Sequence, residues 1–196
     1  MVLPTSGDPL GLAAAGPLTP AAVLAEAAVV VSCHADTFGW VPEPDMRGSS
    51  YAGVRWRGYA GSVVAPPAGV APDRIVEQAD RALRRALRAA TEALADVDLA
   101  RWRAEAAAGR QAAESALRTR PRAMPPSWPA PARVLGERAL ALWQVVRIAA
   151  SDSGASSASG VAVRAGALRD LSHAVREAAM IAYNVPAAAI LGGSRR

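Results

Sequence analysis

Hydrophobic residues recur along most of the chain with the spacing of an α-helix. The longest such pattern runs from 72 to 119, and one apolar position returns every seven residues at Val76, Leu83, Ala90 and Val97. A repeat of seven places these side chains on one face of a helix. An unbroken helix of this length would be about 70 Å long, whereas a compact globule of this size is roughly 40 Å across. The helix must therefore break, project or pair with another chain, and we predict a break near Asp96–Asp98, with Gly109 as a second weak point.

Three more helices are predicted from local start and stop signals. Thr19 as the N-cap and Pro20 at the first helical position begin a helix that continues through Ala21–Ala35. A C-terminal helical pair follows later in the chain. Its first helix covers Ala132–Ala150, and its last helix ends at Asn184, before Pro186, because proline interrupts the hydrogen bonding of a helix.

Segments rich in glycine, proline and serine separate these helices. We expect a loose arm over 1–18, a stiff proline-rich connection over 120–131, a turn over 151–160 and a mobile tail over 187–196. The irregular insert 41–71 contains the alternating stretch Val54-Arg55-Trp56-Arg57. This stretch is the one candidate for a short strand or for one arm of a β-hairpin.

These elements predict a mostly α fold. It is a helical bundle with one long or broken amphipathic helix and a Gly/Pro-rich irregular segment that has room for a short β-hairpin. Within one globular domain, we expect an arm (1–18), a helical region (19–119) with its irregular insert (41–71), the connection (120–131), a helical pair (132–186) and a tail (187–196).

Composition changes this picture in two ways. Hydrophobic residues make up 52% of the 196 residues, but about a quarter of all positions are alanine, so we expect helices that pack closely over small side chains. Alanine-lined stripes of this kind also favour association with a second copy. All 22 basic residues are arginine, and the absence of lysine excludes a Walker A loop, a protein kinase and a pyridoxal-phosphate enzyme in their usual forms.

The net charge of +5 favours anionic partners. Four arginines share one face of the long helix, opposite its leucines, and we call them the arginine face: Arg81, Arg84, Arg85 and Arg88. These guanidinium groups are candidates for binding an acidic protein, another anionic partner or nucleic acid phosphates. The alternative is a solvated surface, partly neutralised by pairs four residues apart, Glu77 with Arg81 and Asp80 with Arg84, and by Glu92 near Arg88.

A second candidate segment interleaves aromatic rings with arginines. Its members are Tyr51, Arg55, Trp56, Arg57 and Tyr59. Rings can stack on nucleic acid bases while arginines contact phosphates, as in single-strand binding proteins. The alternative is a loop or hairpin whose aromatic side chains fill the end of a helical bundle.

Two groups of residues are of the types that bind metals. Cys33, His34 and Asp36 form one group, and Asp170, His173 and Glu177 form the other. Neither spacing matches a standard zinc site, so we interpret the first as a buried cysteine next to a helix-terminal histidine and the second as an exposed ion-pair network. We expect no metal and no cofactor.

The sequence contains no G-x-S-x-G, H-E-x-x-H, G-x-G-x-x-G or C-x-x-C motif. We therefore expect no catalytic residues, and a small enzyme or ligand carrier using His34 or His173 is the lowest alternative. A single cysteine cannot form an internal disulfide, and no apolar run is long enough to cross a bilayer. These features favour a cytoplasmic protein with no membrane association.

The leading hypothesis is a non-catalytic helical interaction protein, a homo-oligomeric adaptor or accessory subunit whose first partner is itself. The alternative is a basic nucleic-acid-associated protein that binds mainly through phosphates. An adaptor should keep its mass at high salt, whereas a phosphate binder should lose affinity steeply.

Overall fold

The computed structural model describes residues 1–14, 16–33, 36–47, 51–60, 72–95, 124–151 and 158–193. The chain divides into two compact units, Met1–Val70 and Ala71–Arg196. The described residues form four helices and one three-stranded antiparallel sheet, so the fold is mostly α, as predicted. The expectation of one globular domain overall stays a prediction, and each unit is described by itself.

The N-terminal segment of the first unit is packed, where the sequence indicated a loose arm. Val2 and Ala28 exchange two backbone hydrogen bonds of 2.8 and 2.9 Å. Leu3 and Leu12 are buried. Gly7 has a positive φ of 80°, a conformation that glycine adopts without strain, and it sits in the tight turn between Thr5 and Asp8. The glycines and prolines of this segment therefore shape turns around its buried leucines.

Helix α1 covers Leu18–Ala25 and is much shorter than predicted. Its N-cap is Pro17 rather than Thr19, whose hydroxyl instead donates a hydrogen bond to the carbonyl of Ala13. The helix ends at Glu26, which has a left-handed backbone conformation. The prediction of a helix through Ala35 is wrong, because Val29–Cys33 is a strand and consecutive β-branched valines favour extended backbone.

The sheet consists of β1 (Val29–Cys33), β2 (Asp36–Arg47) and β3 (Tyr51–Ala60), in that spatial order. It is more extensive than the single short strand or hairpin that the sequence indicated. Two prolines of the central strand, Pro42 and Pro44, obscured it. Strand β1 pairs with β2 only as far as Trp40, so among the described residues no strand lies beside β2 at these two prolines on that side. Proline is tolerated at such an open edge.

The core of the first unit lies between α1 and one face of this sheet. Leu12, Leu18, Ala22, Ala28 and Val41 form a buried cluster. Gly39 is required beneath α1, since a Cβ at this position would lie 2.6 Å from Leu18 Cδ2. The close approach of a leucine to a glycine therefore fixes α1 against the sheet.

The second unit is formed by α2 (Pro72–Ala95), α3 (Ala130–Ser151) and α4 (Ala158–Gly193). Helix α4 packs along both α2 and α3, which touch each other less. The predicted stripe of α2 is buried at Val76, Leu83 and Ala90. Many of the buried residues are alanines, as the composition indicated: Ala79, Ala90, Ala132, Ala139, Ala178, Ala179 and Ala182. This stripe packs within the unit and is not left open for a partner.

Helix α4 continues through Pro186, so the predicted end at Asn184 is wrong. Residues 187–193, which we expected in a mobile tail, are helical. A proline inside a helix costs one hydrogen bond and a steric clash, about 3 kcal/mol. The ring of Pro186 is among the most completely buried side chains, and alanine and leucine, which favour helix, follow it. Burial and helix propensity thus offset the cost.

The end of the proline-rich connection is anchored to the helices. Trp128 makes an edge-to-face contact with Tyr183 of α4, with ring centroids 5.9 Å apart and planes at 80°. Met124 is buried against Gly136 of α3. A Cβ added at Gly136 would meet Met124 and would lie 3.3 Å from the Cβ of Ala182. The predicted breaks at Asp96–Asp98 and Gly109 and most of the predicted turn at 151–160 lie outside the described residues. None of the helices in the described ranges is long and apolar enough to cross a membrane.

Candidate interaction surface

The two faces of the sheet differ sharply in polarity. Side chains alternate between faces along a strand, and directly paired residues share a face. One face, which we call the apolar face, carries six large hydrophobic side chains: Val31, Phe38, Trp40, Met46, Val54 and Trp56. All six are exposed, from 38% for Trp40 to 70% for Met46. Large clusters of exposed hydrophobic side chains are often interaction sites.

The opposite face, which we call the charged face, holds the charged residues of the β2–β3 hairpin: Glu43, Asp45, Arg47, Arg55 and Arg57. Glu43 accepts from Arg55 at 3.0 Å and from Arg57 at 3.3 Å, and Asp45 pairs with Arg47 at 2.9 Å. A side-chain hydrogen bond to Tyr59 and then the charge of Glu43 raise the pKa of Arg57. Helix α1 covers one end of this face, at Gly39 and Val41.

Charged residues are absent from most of the apolar face. Between Phe38 and Met46 of β2 and between Ala52 and Ala60 of β3, none of the residues on this face is charged. The exposed parts of the six large side chains amount to roughly 600 Å². The largest apolar patch on a monomeric protein is typically about 300–600 Å², so this patch lies at the upper end of that range.

The structure separates the members of the predicted stacking segment. All five lie on β3, but Tyr51, Arg55, Arg57 and Tyr59 face the charged side whereas Trp56 faces the apolar side. The guanidinium of Arg47 lies 5.9 Å from the ring centroid of Tyr51. The continuous ladder of rings and guanidinium groups that nucleic acid stacking requires is therefore divided between two surfaces.

The arginine face lies on α2, and all four of its arginines are exposed. Two of the three predicted pairs are present, Arg81 to Glu77 at 3.9 Å and Arg84 to Asp80 at 2.6 Å, and the expected pair of Glu92 with Arg88 is not found within the described residues. Asp80 also accepts a hydrogen bond from Arg138 of α3 and so joins the two helices. Within the part of the chain that the structure describes, Arg85 and Arg88 have no acidic partner. Half of the arginine face is therefore neutralised, as the solvated alternative expects.

The candidate metal ligands are only partly described. His34 lies outside the described residues, and so do the side chains of Cys33 and Asp36. His173 lies 4.0 Å from Glu177 on α4. Over the described ranges, no group of three or more His, Cys, Asp or Glu side chains is placed to hold a metal ion.

The apolar face is the feature that sequence reasoning missed. Its signal was an alternation of period two, with apolar residues at 38, 40 and 46 in β2 and at 54 and 56 in β3. Prolines at 42 and 44 interrupt the first part of this pattern, and arginines on both sides of Trp56 suggested a mixed binding segment. Only the pairing of the strands shows that the apolar residues come to one side.

Comparison with known protein families finds two matches, one after the other along the chain. Residues 1–73 match the family model described as Rv1486c-like protein, N-terminal domain, and residues 77–180 match the model described as Rv1486c-like protein, C-terminal domain. Comparisons with curated proteins and with solved structures find no match. The two matched regions correspond closely to the two compact units. Since they cover most of the 196 residues in order, the chain belongs to the Rv1486c-like protein family.

Proposed function

We propose that this protein is a non-catalytic interaction protein, a homo-oligomeric adaptor or accessory subunit that associates with a second copy through the apolar face. The observation that carries the proposal is the placement of six large, exposed hydrophobic side chains on one face of the sheet, with the charged residues of the hairpin on the other. Covering such a face removes apolar area from water, which is the main driving force of association.

Two arguments favour a second copy as the occupant. A partner that presents charges would leave them desolvated and unpaired against a surface that offers no counter-charge. A second copy presents the same uncharged face, and two sheets pack face to face at a spacing of about 10 Å. Burying roughly 600 Å² on each copy gives a total of about 1,200 Å², the lower end of the range for specific interfaces. We therefore expect a dimer of moderate affinity.

The arginine face supplies the second surface that an adaptor needs. Arg85 and Arg88 are exposed and have no acidic partner within the described residues, so they can pair with an acidic protein. The alternative partner is nucleic acid, whose phosphates the same two side chains could bind without sequence specificity. The division of the aromatic segment between two surfaces favours the protein partner. A cytoplasmic location is part of the proposal and is supported by the single cysteine.

Absolute mass by light scattering on a sizing column, at low and high salt, tests this proposal. We expect a dimer or larger species whose mass survives high salt, because apolar interfaces are not screened by ions. The double variant Trp40→Ser, Trp56→Ser should run as a monomer with unchanged circular dichroism. The control is Val134→Ser, which removes an exposed valine of α3 and should leave the mass unchanged.

Two results would contradict the proposal. One is a wild-type protein that is monomeric at every concentration. The other is a double variant that keeps the wild-type mass, which would place any self-association elsewhere. The ratio of absorbance at 260 and 280 nm across the same peak detects bound nucleic acid, and its loss at high salt would support the alternative function.

A further inference from the structure

A groove runs between α1 and the β2–β3 hairpin. Its volume is about 650 Å³, and it is lined by α1, β2 and β3. Sites for small organic ligands usually have volumes of about 300–1,000 Å³. The groove is thus large enough for a ligand, and its lining reaches the apolar face at Val54.

One wall of the groove is apolar. Ala21, Leu24 and Ala25 of α1 line it together with Val41 of β2. Leu24 is 89% exposed, although the short helix that carries it is packed on the sheet by its other side. A leucine on the rim of a groove with small alanines beneath it leaves room for an aliphatic chain alongside. This wall therefore suits the hydrocarbon part of a ligand.

The other wall carries Glu43 and Arg57, and Arg55, which pairs with Glu43 from outside the lining, gives their cluster a net positive charge. The carboxylate of Glu43 is shared by two guanidinium groups, from Arg55 at 3.0 Å and Arg57 at 3.3 Å, so this cluster has one more positive than negative charge. Arg57 and Tyr59 both line the groove. The guanidinium donates, and the phenol hydroxyl can donate as well, so both side chains can hydrogen-bond to an anion. The wall thus offers charged and neutral donors to an anion.

We propose that this groove binds a small amphipathic carboxylate. The hydrocarbon chain lies along α1 and Val41, and the carboxylate accepts hydrogen bonds from the guanidinium of Arg57 and the hydroxyl of Tyr59. Glu43 remains neutralised by Arg55 when Arg57 turns to the ligand, so the exchange leaves no unpaired charge. A cationic amphiphile of the same length would be repelled by the excess guanidinium charge. The proposal goes beyond self-association and does not depend on it.

The test is a titration of isotopically labelled full-length protein with decanoate, followed by amide chemical shifts in NMR. The expected dissociation constant is on the order of 1 mM, given the size of the ligand and the openness of the site. Shifts should centre on Ala21, Leu24, Ala25 and Tyr59. Decyltrimethylammonium, which has the same chain and the opposite charge, should bind at least about tenfold more weakly.

Two variants and a control test the contribution of each wall of the groove to binding. Arg57→Gln should weaken decanoate binding about tenfold, and Ala25→Trp should abolish binding by filling the groove. The control is Arg47→Gln, which removes an arginine of the same face that does not line the groove and should leave binding unchanged. If Ala25→Trp does not fold, Arg57→Gln still tests the proposal, because Arg57 is exposed and its replacement should not disturb folding. Shifts confined to the apolar face, equal binding of the cationic amphiphile, or unchanged binding by Arg57→Gln would overturn the proposal.

Discussion

Replacement of Trp56 by serine gives the sharpest test of the apolar face, because its effect can be worked out from the structure. Trp56 is 52% exposed, which for a ring system of up to about 250 Å² leaves about 130 Å² to be covered by a partner. At about 25 cal/mol per Å², full coverage is worth about 3 kcal/mol per copy. In a two-fold dimer the side chain is lost twice, so coverage of about half its exposed area would still cost about 3 kcal/mol. That loss corresponds to roughly a 150-fold weaker dimer.

The assay is sedimentation equilibrium over a wide range of concentration for wild type, Trp56→Ser and the control Val134→Ser. The control side chain has the same exposed fraction, 52%, but lies on α3 of the other unit. We expect the control to keep the wild-type dissociation constant within a factor of two. The free energy of unfolding of each variant monomer, measured by chemical denaturation, should differ from that of wild type by less than about 1 kcal/mol, because surface substitutions seldom destabilise a protein. A Trp56→Ser protein that dimerises as tightly as wild type would refute the assignment of the interface to this face.

Three further predictions concern the helical unit. In urea denaturation, Asp80→Asn should lower the free energy of unfolding by about 1 kcal/mol, because the Asp80 carboxylate pairs with arginines of two helices. Glu77→Gln, which removes one partner of an exposed ion pair, should change the free energy of unfolding by less than about 0.5 kcal/mol. Gly136→Val should destabilise by about 1–3 kcal/mol, since its Cβ would meet Met124 and Ala182, and a lowered melting temperature would register this. Leu83→Ala should cost about 2–5 kcal/mol in the same experiment, because its side chain is fully buried, and a loss below about 1 kcal/mol would contradict that burial.

The helical unit could be predicted well from the sequence because its signals agree with one another. The seven-residue spacing predicted the buried face of α2, and Pro72 begins that helix as expected. The pairs of Glu77 with Arg81 and Asp80 with Arg84 formed because residues four apart on a helix are neighbours. Local spacing decides all of these features, and it can be read without knowledge of the fold.

The first unit was predicted poorly because its structure depends on partners distant in sequence. The run from Ala21 to Cys33 is apolar apart from Glu26 and Ser32, and a single charged residue does not by itself mark the end of a helix and the start of a strand. Strand β2 pairs with β3 from Phe38 to Arg47, and this pairing overrides two prolines that locally argue against a strand. The apolar face was missed for the same reason. Trp56 and its neighbouring arginines lie on opposite faces of the sheet, and this separation follows only when β3 is treated as a strand paired with β2.

The two prolines of β2 bear on how far assembly can proceed. A sheet margin with free backbone donors can recruit a strand from another molecule, and such recruitment repeats without limit in fibres. Pro42 and Pro44 occupy the stretch of β2 that extends beyond β1, and neither has a backbone N–H to donate. A foreign strand therefore has little to pair with along that margin. Growth by strand addition is disfavoured there, and the contact that we propose through the apolar face would be complete with two copies, so the proposed self-association would not lead to polymers.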